Sequence, residues 1–201
     1  MKLSTLAALA LLSAAPAFAG PAFRVDFEKT WDYTNGGVDG YYNGGTAADG
    51  TSGTNLGVGF VGVSGLSNDV NFTYYSNAPS PQGVAYVYDT SAFINVAGGV
   101  DGLLKFSYAS TGAVLDAVKA YSGLNGTGAL LASLNLPANN GASLDVWTAQ
   151  TFYFGGKALS FDVGAGANVV AFDNVSSVPE SNMLLLLLGV AAVATRLRRR
   201  A

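Results

Sequence analysis

Between residues 20 and 177, short runs of Val, Phe, Tyr, Leu and Thr are cut repeatedly by clusters of Gly, Asn, Asp and Pro. This punctuation most limits what the chain can fold into. A globular helix needs an uninterrupted periodic stretch, whereas strands of four to eight residues bounded by turn formers suit a sandwich or barrel. Strands are expected over 23–28, 57–64, 70–75, 84–88, 103–108, 114–121, 130–136, 146–154, 158–163 and 168–175. In 70–74 the polar Asn71 and Thr73 alternate with Val70, Phe72 and Tyr74, so one face packs inward and the other meets water. The stretch 159–163 shows the same period of two. A single helical turn also fits 114–119, but its β-branched residues and flanking glycines favour strand. Asp101-Gly102 and Asn125-Gly126 are expected as hairpin turns, since both pairs tolerate positive φ. The Gly-, Asn- and Thr-rich stretch 34–55 is expected as a long loop that offers little to a core.

The two ends differ from this middle. Met1-Lys2, the apolar run 3–12 and Ala17-Phe18-Ala19 form a secretory signal peptide over 1–19, cut after Ala19 by signal peptidase. At the other end Val178-Pro179-Glu180-Ser181 precedes an apolar run at 183–194 and the basic residues Arg196, Arg198, Arg199 and Arg200. Those twelve apolar residues span about 18 Å as a helix, against a bilayer core of about 30 Å. The segment is therefore short for a permanent transmembrane anchor and suits a transient stop, with the arginines on the cytoplasmic side. The expected route is export, a passing inner-membrane anchor, then the cell surface or the extracellular space. The region 20–177 is the single folded domain.

With both ends removed, five basic residues face twelve acidic ones, a net charge of −7. A nucleic-acid partner is not expected, because phosphate needs clustered Lys and Arg. The chain has no Cys and no His. This excludes Ser-His-Asp and Cys-His catalysis, disulfides, and zinc sites built on those residues. A paired-carboxylate glycosidase remains, but the domain holds a single Glu and no acidic pair has a distinctive context. A non-enzymatic role is the expectation. For binding, Trp31, Tyr33, Tyr41 and Tyr42 lie in or beside the long loop with Asp32 and Asp39, and an exposed aromatic patch of this kind stacks on sugar rings. The competing reading is that these rings pack the loop down onto the core. Trp147 reads as core.

Val178-Pro179-Glu180-Ser181, the short hydrophobic segment and the terminal arginines resemble the PEP-CTERM sorting signal of Gram-negative bacteria. The resemblance covers 178–201 and departs from the pattern at Ser181, where a second proline is usual. It implies processing by an exosortase, a membrane cysteine protease–transpeptidase often found alongside exopolysaccharide production. The stretches 121–128, 130–136, Trp147, 154–156 and 167–175 resemble a recurring ectodomain type of such proteins that has no established activity. The closing Phe172-Asp173-Asn174-Val175 is also similar to the end of jelly-roll carbohydrate-binding modules. That similarity implies a jelly-roll-like β-sandwich with a structural Ca²⁺ shared by a first-strand acid and a last-strand Asp, here Glu28 and Asp173. By alternation Asp26 and Glu28 also suit a solvated strand face.

The expectation is thus an all-β, single antiparallel sandwich exported to the surface or extracellular matrix, with exopolysaccharide as a candidate ligand. The alternative is a structural biofilm protein that self-associates without glycan affinity, and a glycoside hydrolase comes third.

Overall fold

The computed structural model describes residues 22–31, 36–67, 75–140 and 143–177. The signal-peptide positions Ala17 and Ala19, the sorting-signal residues 178–201, Tyr33 and most of the expected strand 70–75 lie outside them.

Nine strands appear in chain order: β1 (Arg24–Val25), β2 (Val58–Val61), β3 (Val63–Ser67), β4 (Gly83–Val87), β5 (Phe93–Ser110), β6 (Val114–Tyr121), β7 (Leu130–Leu136), β8 (Thr148–Asp162) and β9 (Val170–Ser176). Every pairing between them is antiparallel. The main order is β3-β4-β9-β5-β8-β6-β7, with β1 on β9 and β2 on β5.

Two long strands turn this sheet into a sandwich. The first part of β5 pairs with β2 and with the end of β8, and its second part pairs with β9 and the start of β8. The register shifts between Asn95 and Val100 and again between Asp101 and Leu103, so the pair bends there and passes from one layer to the other. Asp101-Gly102 is part of this corner within β5, not a hairpin turn. Its turn chemistry is real, with Gly102 at φ 77°, but it serves a bulge. Asn125-Gly126 does connect neighbouring strands, with φ 52° and 70° in succession between β6 and β7.

The core lies between the layers. Leu104, Phe106 and Tyr108 of β5 alternate inward and meet Phe152, Phe161, Phe172 and Val175 from β8 and β9. The stretch 36–55 also supplies core. Val38, Tyr42 and Ala47 are buried, and the bridges Asn43↔Asn55 and Thr46↔Ser52 fold the segment on itself. Its glycines and asparagines shape tight turns, while Val38, Tyr42 and Ala47 face in.

A smaller cluster covers one end of the outer face of the β4-β9-β5 layer. Leu66, Val84, Ala109 and Ala171 point outward from the strands and are capped by Tyr75, Leu144 and the half-buried Trp147. Trp147 donates its indole N–H to Ser76 O at 3.3 Å, so it belongs to this satellite cluster and not the main core. Among the described residues no helix is long and apolar enough to cross a membrane.

Candidate functional site

Trp31 and Tyr42 are core residues. Trp31 is 2% exposed, its indole N–H donates to Phe27 O at 2.9 Å, and its backbone N–H donates to Ser67 Oγ. Tyr41 meets the Trp31 ring edge-on at 5.1 Å, and Tyr42 packs against Phe27 and Phe60 at 5.6 and 6.0 Å. Burial, reinforced by the charge of Asp26, raises the Tyr42 hydroxyl above its ordinary value. Lys29 lies 4.6 Å over the Trp31 ring and pairs with Asp49, closing the cluster from the solvent side. The expected exposed patch is therefore corrected for Trp31 and Tyr42, whose faces are spent on neighbouring rings. Tyr41 is half-buried in the same stack.

The carboxylates singled out for calcium do come near one another, because β1 pairs with the end of β9. Asp173 is 0% exposed, and burial pushes its carboxyl up to about 6. The Glu28 charge adds to this rise, while hydrogen bonds from Ser80 and Asn174 oppose it. Ser80 N donates to Oδ2 at 2.8 Å, Asn174 N donates to Oδ1 at 2.6 Å, and Ser80 Oγ sits 2.5 Å from Oδ1. Ser80 Oγ is also 2.7 Å from Asp26 O. One hydroxyl proton cannot serve both oxygens. When it goes to Asp26 O, the short contact to Asp173 needs a proton on the carboxyl, so the geometry accommodates a neutral Asp173.

Glu28 is turned to the same loop and accepts from Gln82 N at 2.8 Å and Gly83 N at 3.4 Å. Calcium asks for six to eight oxygens. Here four backbone N–H groups point at the two carboxylates, and no three acidic side chains gather among the described residues. As arranged, the set fits a hydrogen-bonded clamp on residues 80–83 and not a cation. Glu28 and Asp173, the expected calcium pair, are thus held by backbone N–H donors as arranged.

An aromatic surface does exist elsewhere. The cross-strand pairs Leu103↔Tyr153, Lys105↔Thr151 and Ser107↔Ala149 put these six side chains on the outer face of β5 and β8. The same face continues to β9 through Lys105↔Ser176 and Ser107↔Asp173. It is capped at one end by the satellite cluster and open at the other, where Tyr153 is 68% exposed beside the half-buried Leu103. The signal was present in Phe152-Tyr153-Phe154. In a strand only the middle ring of three can face away from the other two, and Phe152 and Phe154 are both buried.

The fold and this surface define an all-β antiparallel sandwich domain. No protein-family profile matches the sequence, and no curated protein does. Among solved structures it is similar to the carbohydrate-binding module CBM6cm-2 from Cellvibrio mixtus lichenase 5A in complex with cellotriose. That likeness is at 12% identity and TM-score 0.39, over 58% of this chain and 86% of that one. It is also similar to the Clostridium thermocellum endo-1,4-beta-D-xylanase 10B CBM22-1-GH10 modules complexed with xylohexaose. There the identity is 13% and the TM-score 0.32, over 63% of this chain and 26% of that one. The chain thus spans about a quarter of the second structure.

Proposed function

We propose that this chain is an exported, non-enzymatic surface or matrix protein whose domain binds neutral polysaccharide on the open outer face of β5 and β8. The observation that carries the reading is Tyr153, a large ring left 68% exposed on β8. An aromatic ring in that setting offers an apolar stacking surface, and Thr151 and Lys105 beside it supply polar groups for sugar hydroxyls. The acidic balance of the domain disfavours anionic polymers. The signal peptide and the PEP-CTERM-like tail support a route through signal peptidase and an exosortase-type transpeptidase to the outside.

The test is affinity electrophoresis through gels holding the host's secreted polysaccharide, mixed-linkage β-glucan or dextran, with Tyr153→Ala beside the unaltered chain. The reading expects retardation in at least one neutral polymer, weakened roughly tenfold in the variant, equivalent to about 1.4 kcal/mol. Retardation unchanged in Tyr153→Ala, or absent in every polymer, overturns it.

A further inference from the structure

Among the basic residues of the domain, Arg24 is held in an unusual way. Lys29 pairs with Asp49, Lys119 with Asp162 at 3.1 Å, and Lys157 with Asp101 at 3.9 Å. Arg24 is exposed on β1, and its Nε and Nη2 donate at 3.2 and 2.8 Å to Asn174 Oδ1, an uncharged acceptor. Asn174 stands at φ 52°, where β9 slips register against β5 between Lys105↔Ser176 and Ser107↔Asp173. A bulge of this kind re-aims a side chain, here the amide toward β1.

The acids around Arg24 are engaged elsewhere. Asp26 Oδ1 accepts Glu28 N at 3.3 Å, Glu28 accepts from Gln82 and Gly83, and Asp173 accepts from Ser80 and Asn174. Among the described residues no carboxylate pairs with the Arg24 guanidinium. Its bonds to Asn174 use the Nε–Nη2 edge. The Nη1–Nη2 edge is a second fork, whose parallel N–H groups match the two oxygens of a carboxylate.

The position of Arg24 ties it to Tyr153. The pairs Arg24↔Ser176, Lys105↔Ser176 and Lys105↔Thr151 set these four residues in one row across β1, β9, β5 and β8. Paired residues share a face, so the row lies on the face of Tyr153, which follows Thr151 by two residues on β8. At about 4.8 Å between strands the row measures about 14 Å. Along the strands the face is closed beyond Ser107 and Ala149 by the satellite cluster. A polymer stacked on Tyr153 therefore has a polar-lined path across the strands, ending at Arg24.

We propose that Arg24 is the far subsite of this face and takes a carboxylate carried by one sugar of an otherwise neutral polysaccharide. The inference rests on the Tyr153 reading for the path of the chain and adds a substituent to its ligand. The acidic domain repels a polymer charged on every sugar, but an isolated carboxylate meets a cation that an amide, not an acid, holds in place.

The test is isothermal titration near neutral pH with mixed-linkage β-glucan, dextran and a sparsely carboxymethylated form of each. It uses the full chain, expressed in an exporting host and held in mild detergent. The carboxymethylated form of a polymer should bind roughly tenfold more tightly than its parent, and added salt should erode that preference. Arg24→Gln, which keeps an amide N–H for Asn174 Oδ1, should bring the two forms to equal affinity. So should Asn174→Asp, which hands the guanidinium a carboxylate from within the chain. Equal affinity for both forms in the unaltered chain, or a preference that survives Arg24→Gln, overturns the proposal and leaves the stacking reading to Tyr153→Ala. A preference that needs Arg24 but is indifferent to Tyr153→Ala upholds the carboxylate subsite and overturns the stacking reading. No binding of any form overturns both.

Discussion

Replacing Asp173 with Asn should change stability by an amount that depends on pH. In the folded chain the carboxyl titrates at about 6, raised chiefly by burial. In the unfolded chain it titrates at about 3.9. A raised folded value means that the protonated acid favours the folded state. This contribution is fully present below about pH 4, falls away as pH rises through about 6, and is flat above. The two-unit gap is worth about 3 kcal/mol at about 1.36 kcal/mol per unit.

Asn cannot ionise, so its variant lacks this slope. It carries a fixed loss instead, because Ser80 N, Asn174 N and Ser80 Oγ surround both oxygens and an amide NH₂ must oppose one donor. That loss is about 1–3 kcal/mol. Urea unfolding of both proteins at pH 4 and pH 7 measures the difference, in which the other carboxylates largely cancel. At pH 4 Asp173→Asn should be clearly destabilised, and by pH 7 the gap should shrink by about 2 kcal/mol, enough to close or reverse it. A gap equal at the two pH values refutes the reasoning, as does one that widens with pH.

Other expectations follow from the same packing. Trp31→Ala should lower stability by about 3–5 kcal/mol in urea unfolding, because the ring is central to the 36–67 region; a folded variant with unchanged midpoint contradicts its place in the core. Gly83→Ala should be strongly destabilised or fail to fold in the same assay, since a Cβ there falls 2.2 Å from Phe27 O; near-normal stability sinks that reading. Adding EDTA or millimolar calcium should leave the melting temperature unchanged, because the Glu28 and Asp173 carboxylates already bond N–H groups of residues 80–83 and 174. A calcium-dependent rise of several degrees revives the cation site.

The strands easiest to read were those whose ends carry plain turn chemistry. β6 and β7 lie where alternation and flanking glycines put them. β5 was read only in its second half, because Gly98-Gly99 and Asp101-Gly102 look like turns and serve as a bent corner inside an 18-residue strand. β8 was split in two for the same reason at Gly155-Gly156. The loop 34–55 misled by composition. Its core contribution rests on Val38, Tyr42 and Ala47, too sparse for any periodicity to show. The proximity of Glu28 to Asp173 followed from the first and last strands. The partner of Asp173, Ser80, did not, since a contact 93 residues away has no local signature. Tyr153 is legible in Phe152-Tyr153-Phe154, where strand alternation turns the middle ring away from its neighbours.

The most direct test of polysaccharide binding on the β5-β8 face is backbone-amide NMR of the isotope-labelled protein, titrated with a neutral oligosaccharide cut from whichever polymer retards it. Shifts concentrated at Leu103, Lys105, Thr151 and Tyr153 are the predicted result. Shifts centred on Trp31 and Tyr42, or spread evenly over the domain, would contradict it.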